Sequence, residues 1–306
     1  MHYSVLLNES IQLLNINPNG VYLDGTFGRG GHSQEILAKL SPSGKLIAFD
    51  KDPEAINYAD KFKSDNRFQI CHASFASAEK IIKSNFAGQV DGVLLDLGIS
   101  SPQVGNPERG FSFRYDAPLD MRMDNSSGLS AADFINSASE EELIKVFWEY
   151  GEEKFSRKIA KAIVNDRQIK SIETTLELAG LIERLIGRRE VNKHPATRVF
   201  QAIRIHVNNE LGDLIEFLDT VPQLLKLGGR IVIISFHSLE DRIVKNKFNQ
   251  LSSVKELPKW VMANPEESEY KVIAKKIKAT EKELAENARS RSAVMRCLER
   301  VSVKNN

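Results

Sequence analysis

The chain has 306 residues, 42% of them hydrophobic, which is enough to build a sizeable core in one large domain or two smaller ones. Its 42 Lys and Arg against 41 Asp and Glu leave a net charge of +1, which excludes a global pull toward polyanions and makes any polyanion site a local patch. Two cysteines, Cys71 and Cys297, without CxxC or Cys/His spacing exclude a disulfide framework and argue against bound zinc, so no metal is expected; the chain has neither a basic leader nor a membrane-length apolar run, and the expected setting is a soluble protein of the reducing cytoplasm with no membrane partner.

Short apolar runs ending in Gly or Asp alternate with stretches of helical period, the rhythm of βα units in a parallel sheet. Strands are expected at Val21–Asp24, Lys45–Asp50, Phe68–Cys71 and Gly92–Asp96, with a helix over Ser33–Leu40 after the first. Beyond Asp96 the rhythm breaks: 98–128 is rich in Gly, Pro, Ser and Arg, and helical patterns without a strand candidate run from about Ser130 to Leu185. Helices near Thr197–Asn209 and Glu210–Lys226 lead to a strand at Arg230–Ser235, and a final strand is expected at Ala293–Leu298. The charged, weakly periodic stretch Leu251–Glu286 reads as a surface excursion. The fold expected is α/β, a doubly wound sheet domain built from 1–103 and 201–306, interrupted by a mostly helical insertion over 104–200; one ordinary crossover needs only about a dozen residues.

The first strand runs into Asp24-Gly25-Thr26-Phe27-Gly28-Arg29-Gly30-Gly31-His32-Ser33, where glycines let the backbone turn sharply and approach a ligand. Asp50 ends the second strand about twenty residues further on, where a carboxylate can accept hydrogen bonds from ribose hydroxyls. The loop departs from the G-x-G-x-x-G of dinucleotide sites and carries an acid before its first glycine; Asp24 suits the cationic sulfonium and ammonium of S-adenosylmethionine and would repel a pyrophosphate. Asp24 as a plain strand-end acceptor is the competing reading. Phe75, after the third strand, lies beside a purine or belongs to the core. Asp96 opens Asp96-Leu97-Gly98-Ile99-Ser100-Ser101-Pro102-Gln103 at the carboxyl edge of the sheet, where such folds bind ligands.

With these residues assembled, the chain resembles the bacterial ribosomal RNA small-subunit methyltransferase H family. The likeness runs through the Asp24–Ser33 and Asp96–Gln103 blocks, Arg109-Gly110-Phe111-Ser112-Phe113, Pro118-Leu119-Asp120-Met121-Arg122-Met123-Asp124, Ser235-Phe236-His237-Ser238-Leu239-Glu240-Asp241 and Arg289-Ser290-Arg291-Ser292-Ala293. The resemblance implies a Rossmann-like class I methyltransferase sheet with an insertion that serves substrate recognition, S-adenosyl-L-methionine as cofactor, and methylation of N4 of a cytidine in the decoding region of 16S ribosomal RNA, within the small ribosomal subunit. Cofactor contacts are implied for Gly30, Gly31, His32, Asp50, Phe75, Asp96 and Gln103. Many amino-group methyltransferases carry Asp or Asn, Pro, Pro, aromatic after the fourth strand, whereas this chain has Asp96-Leu97-Gly98-Ile99.

Methyl transfer from a sulfonium is an in-line displacement that needs its nucleophile held about 3 to 3.5 Å from the methyl carbon. The cytosine amine is a poor nucleophile, and an acceptor near its hydrogens helps; Asp96, Ser100 and Ser101 lie at the right edge of the sheet, Asp96 as positioning group first and proton acceptor second. His237 follows a strand toward the same edge, as a substrate contact or as a hydrogen-bonded loop histidine. Arg109, Phe111, Phe113, Arg114 and Arg122 supply the Arg and aromatic mixture that stacks an unpaired base, with pinning of the insertion as the alternative for the two phenylalanines. Between Lys154 and Arg204 twelve basic residues, Arg188 and Arg189 among them, face five acids, a candidate phosphate-tracking surface. A nicotinamide-dependent dehydrogenase and a non-catalytic RNA-binding protein are the competing function classes; cofactor titration separates the first and a methyl-transfer assay the second.

Overall fold

A computed structural model describes residues 4–85, 89–187, 194–253 and 268–302. The chain begins α1 (Leu7–Leu14), β1 (Val21–Asp24), α2 (Gly31–Lys39), β2 (Lys45–Asp50), α3 (Pro53–Tyr58), β3 (Phe68–His72), α4 (Ala78–Asn85), β4 (Val90–Asp96). Helices then follow without a named strand: α5 (Ser101–Gly105), α6 (Ala131–Ser137), α7 (Glu140–Glu149), α8 (Ser156–Arg167), α9 (Thr175–Ile186) and α10 (Thr197–Val207). The alternation resumes with α11 (Glu210–Thr220), β5 (Leu225–Ser235), α12 (Ser238–Ser252), β6 (Tyr270–Ile277), α13 (Glu281–Glu286) and β7 (Val294–Arg300).

Two units divide the chain, Met1–Gly98 with Leu211–Asn306, and Ile99–Glu210. These boundaries differ from the expected 104–200 insertion. α10 belongs to the helical unit because it buries Val199, Phe200, Ala202 and Ile203 in that unit's core.

In the first unit the strand order is β3-β2-β1-β4-β5-β7-β6. The first five strands are parallel, and β7 runs antiparallel between β5 and β6, so the doubly wound sheet is mixed at one edge. Side chains of a strand alternate between faces. Leu23, Ile47, Phe49, Val93, Leu95, Ile231 and Ile233 therefore share a core with Leu214, Phe217 and Leu218 of α11 and Val244 and Phe248 of α12. Tyr22, Leu46, Leu94, Val232 and Ile234 pack on the other side with Ile11 and Leu14 of α1, Ile36 and Leu37 of α2, and Met295 and Cys297 of β7. Burial on both faces is why these strands read as unbroken apolar runs. The order reverses between β1 and β4, and Asp24, Asp50 and Asp96 end three strands at the carboxyl edge of this switch point.

Two expectations are corrected here. The helix expected over 210–226 stops at Thr220, because Pro222 has no N–H to donate and Leu225 already enters β5. The stretch expected to be a surface excursion contains β6, which among the described residues is an edge strand paired with β7 alone, through an irregular register, and exposes Lys271, Lys275 and Lys276.

The helical unit has its own core, in which Phe134, Leu143, Phe147, Ile159, Ile163, Leu178, Ile182 and Phe200 meet. Its helices start at caps written in the sequence. Ser130, Ser139 and Thr174 each accept the N–H of the residue three positions on, and Asp133, Glu142 and Glu177 return a bond to the capping N–H.

Candidate cofactor edge and substrate unit

The glycine loop after β1 is pinned between its neighbours: Gly25 N–H donates to the Leu94 carbonyl of β4 at 2.9 Å and Phe27 N–H to the Phe49 carbonyl of β2 at 3.0 Å. A Cβ at Gly25 would stand 2.2 Å from the Leu95 side chain. Gly30 takes φ +72°, and a Cβ there would press on Phe27 and Phe62 at 2.8–2.9 Å. Both positions thus require glycine for space, and Gly30 for its backbone as well. Gly31 opens α2, whose first turn carries His32 and Ser33.

Asp24 is 1% exposed; its Oδ2 accepts the Ser33 hydroxyl at 2.6 Å and its Oδ1 the Thr26 N–H at 3.1 Å. Burial raises its pKa to about 6 against the pull of these two bonds. The strand-end acceptor reading of Asp24 is therefore realised. Asp50 accepts the Gly28 N–H at 2.7 Å on Oδ2 and the Asp52 N–H at 2.9 Å on Oδ1, and burial raises its pKa to about 6 as well. His32 donates from Nε2 to the Val5 carbonyl at 3.1 Å, which leaves Nδ1 as the bare nitrogen 3.9 Å from Asp96 Oδ2; burial lowers its pKa to about 4, so the ring is neutral.

Asp96 is the most perturbed acid of the edge. Its N–H donates to Thr26 Oγ1 at 2.7 Å, while its own Oδ1 is buried with no hydrogen-bond partner. Burial first, then the negative charges of Asp24 and Glu240, raise its pKa to about 8; the charge of Arg289 opposes them. An unsatisfied buried acceptor amid carboxylates is a site arranged for a cationic or hydrogen-donating ligand, and it would repel a phosphate.

Phe75 stands edge-on to Phe217, ring centroids 5.7 Å apart, and is partly buried against the core, as its core reading has it. Beside it a polar knot ties the ends of β2 and β3: Lys51 Nζ lies 2.5 Å from Asp213 Oδ2, which also accepts the Ser74 hydroxyl. His237 precedes α12 with Nε2 2.9 Å from Glu240 Oε1, and Glu240 Oε2 accepts the N–H of Phe236 at 2.8 Å. Glu240 and Arg289 are the members of this edge that residue-by-residue reading missed; the only signal was that both lie inside the blocks that carried the family likeness.

In the helical unit Ser100 caps α5 by accepting the Gln103 N–H, and Gln103 Oε1 accepts the Ser100 N–H at 2.8 Å. Ser101 is the first residue of that helix. Arg109 is 4% exposed and donates from Nη2 to the carbonyls of Arg122 and Met123 at 3.0 and 2.8 Å. Arg122 holds Asp120 in a fork at 2.6–3.2 Å. Phe113 packs on His194 and Phe200, each centroid 4.7 Å away, and Phe111 lines the same core. These four residues build the loop from within, the pinning alternative for the phenylalanines. Arg188 and Arg189 lie outside the described residues.

Neither cysteine is activated: Cys297 is buried and its thiol is pushed up to about 12, and burial raises the half-buried Cys71. Among the described residues no helix is long and apolar enough to cross a membrane.

A family model described as the MraW methylase family matches residues 1–301. Relatives named ribosomal RNA small subunit methyltransferase H match along almost their whole length. The Francisella tularensis subsp. novicida protein is 53% identical over 98% of this chain and 100% of its own; that of Legionella pneumophila strain Paris is 52% identical over 98% and 99%; that of Chromobacterium violaceum is 51% identical over 99% and 96%.

Proposed function

The chain belongs to the MraW methylase family, and from that premise we infer that its product is N4-methylcytidine in the decoding region of 16S ribosomal RNA. It is an S-adenosylmethionine-dependent methyltransferase of small-subunit ribosomal RNA. The observation that carries the assignment to this edge of the sheet is the convergence of Asp24, Asp50 and Asp96, with an unpartnered Asp96 Oδ1, around a glycine loop.

S-adenosylmethionine, when bound, supplies an electrophilic methyl group on a sulfonium. Each Asp50 oxygen accepts one backbone N–H, and a carboxylate offers about four lone-pair sites, so two acceptors are left for ribose hydroxyls. Phe75 would lie beside the adenine, and Gly30 and Gly31 would let the backbone approach the cofactor. The negative charge of Asp24 and Asp96 favours the cationic methionine end. Asp96 Oδ1, when ionised, would accept a hydrogen of the exocyclic amine, localise the nitrogen lone pair and take up the amine proton. Neutral His32 stands 3.9 Å from Asp96 with its bare Nδ1 and adds no positive charge there, and Ser101 and Gln103 follow Asp96 in sequence. No cysteine adds to the ring, consistent with two thiols whose pKa values are raised. The substrate is read by the helical unit, within the small subunit and in the cytoplasm.

The test is labelled methyl transfer to small subunits from cells lacking this activity, followed by nucleoside mass spectrometry. N4-methylcytidine is expected; 5-methylcytidine, or a cysteine-dependent covalent adduct with RNA, would overturn the direct-attack reading.

A further inference from the structure

α8 buries Ser156, Ile159, Ala160 and Ile163 along one side. At 100° per residue the other side carries Arg157, Lys158, Lys161, Asn165 and, just past the helix end, Gln168, all exposed, and the turn before the helix adds exposed Lys154. This face holds four cations and no acid. Some exposed lysines take carboxylate partners, as Lys83 does with Glu79 and Lys63 with Asp60, each at 2.7 Å, whereas Lys271, Lys275 and Lys276 on β6 have none among the described residues. Among the described residues no acid pairs with Lys154, Arg157, Lys158 or Lys161.

Like charges three and four residues apart on a helix repel, and Arg157/Lys161 and Lys158/Lys161 stand at these spacings within α8, with Lys154 in the turn just before it. The arrangement lowers the helix's own stability, and an ordinary solvated face would mix signs instead. Lys158 also donates to the Leu185 carbonyl at 3.0 Å, near the carboxyl end of α9, where helix carbonyls add acceptors for a cation. The charge density is therefore fixed on a rigid, packed helix.

We propose that the exposed face of α8, through Lys154, Arg157 and Lys161, is a backbone-reading surface that binds phosphates of the ribosomal RNA substrate. The proposal rests on the assignment of this chain as an rRNA methyltransferase and adds which surface holds the RNA. Cations spaced along one helix face neutralise successive phosphates without reading sequence, releasing counterions as they do so.

The test is the triple variant Lys154→Gln, Arg157→Gln, Lys161→Gln of the full chain, assayed for binding to naked 16S rRNA and to small subunits over a salt series, for methyl transfer, for S-adenosylmethionine affinity and for thermal unfolding. The variant is expected to melt at or above the parent temperature, because repulsion is relieved, and to keep its cofactor affinity. Its affinity for naked rRNA falls on the order of ten- to a hundred-fold, the slope of log affinity against log salt becomes shallower by about 2 to 3, and KM for the subunit rises with kcat little changed. An unchanged salt slope and RNA affinity overturns the proposal. So does a loss of binding to subunits with naked rRNA unaffected, which would make the partner a ribosomal protein. If the parent protein binds RNA but transfers no methyl group, the activity assignment fails, and the binding arms still decide the surface.

Discussion

At Asp96 one carboxyl sits between burial, which favours its neutral form, and a chemistry that uses its charge. Its pKa, raised to about 8 in the folded chain against 3.8 in an unfolded one, means that the folded state holds a proton the unfolded state has lost. Stability from this group is full below pH 4 and disappears as pH rises through 8. Asp24 and Asp50 act in the same sense but finish near pH 6, and His32, lowered to about 4, acts in the opposite sense below 6.5. Between pH 6.5 and 8 Asp96 dominates this group, so the cofactor-free protein loses on the order of 1 kcal/mol across that window, measured by urea unfolding, and Asp96→Asn flattens the loss. Cofactor affinity rises over the same interval. Asp50→Ala removes the acceptor of the Gly28 and Asp52 N–H groups together with the ribose contacts proposed for it; calorimetry is expected to show at least a tenfold weaker S-adenosylmethionine complex in a protein that still folds, since a hydrogen bond to a charged group contributes about 1.5–3 kcal/mol. The paired change Cys71→Ala with Cys297→Ala leaves the methyl-transfer rate per folded molecule unchanged, and a rate loss beyond the loss of folded protein would contradict direct attack.

Individual elements were legible where one physical signal dominated. β1 and β2 match their expected bounds residue for residue, because strands buried on both faces are short apolar runs closed by an acid. β6 was hidden because an edge strand needs only one buried face and its lysines mask the alternation. α10 was read as a helix, but its membership was invisible: nothing local says against which core Val199 and Phe200 pack. The same limit applied to the loop after Asp96, where the Arg and aromatic composition suggested a base platform while the side chains are engaged in folding the loop. Arg109 gives this a measurable form. Removing it as Arg109→Ala strands two carbonyls, and the helical unit is expected to lose about 2–4 kcal/mol by chemical denaturation; Arg109→Lys rescues little, since an ammonium lacks the planar fork. Should Arg109→Ala leave stability intact while raising KM for RNA, the base-platform reading would return.

On the scale of the whole molecule, a contiguous helical unit is set into a sheet unit whose halves lie at opposite ends of the sequence. The helical unit has its own apolar core and capped helices, so residues 99–210 expressed alone are expected to unfold cooperatively with helical circular dichroism and to bind no S-adenosylmethionine; a non-cooperative melt would show that its core depends on the sheet unit. The sheet unit cannot be divided in that way. Among the described residues β6 pairs with β7 alone and β7 follows every other strand, and the Glu283 carboxylate takes the Leu6 N–H at 2.8 Å in the segment whose Val5 carbonyl fixes His32. Translation proceeds from the N-terminus, so until β7 has left the exit tunnel β5 and β6 both lack the strand that joins them. The brace on the cofactor loop likewise waits for Glu283, so the two distant stretches of the sheet unit must both be made before the loop has its full set of contacts.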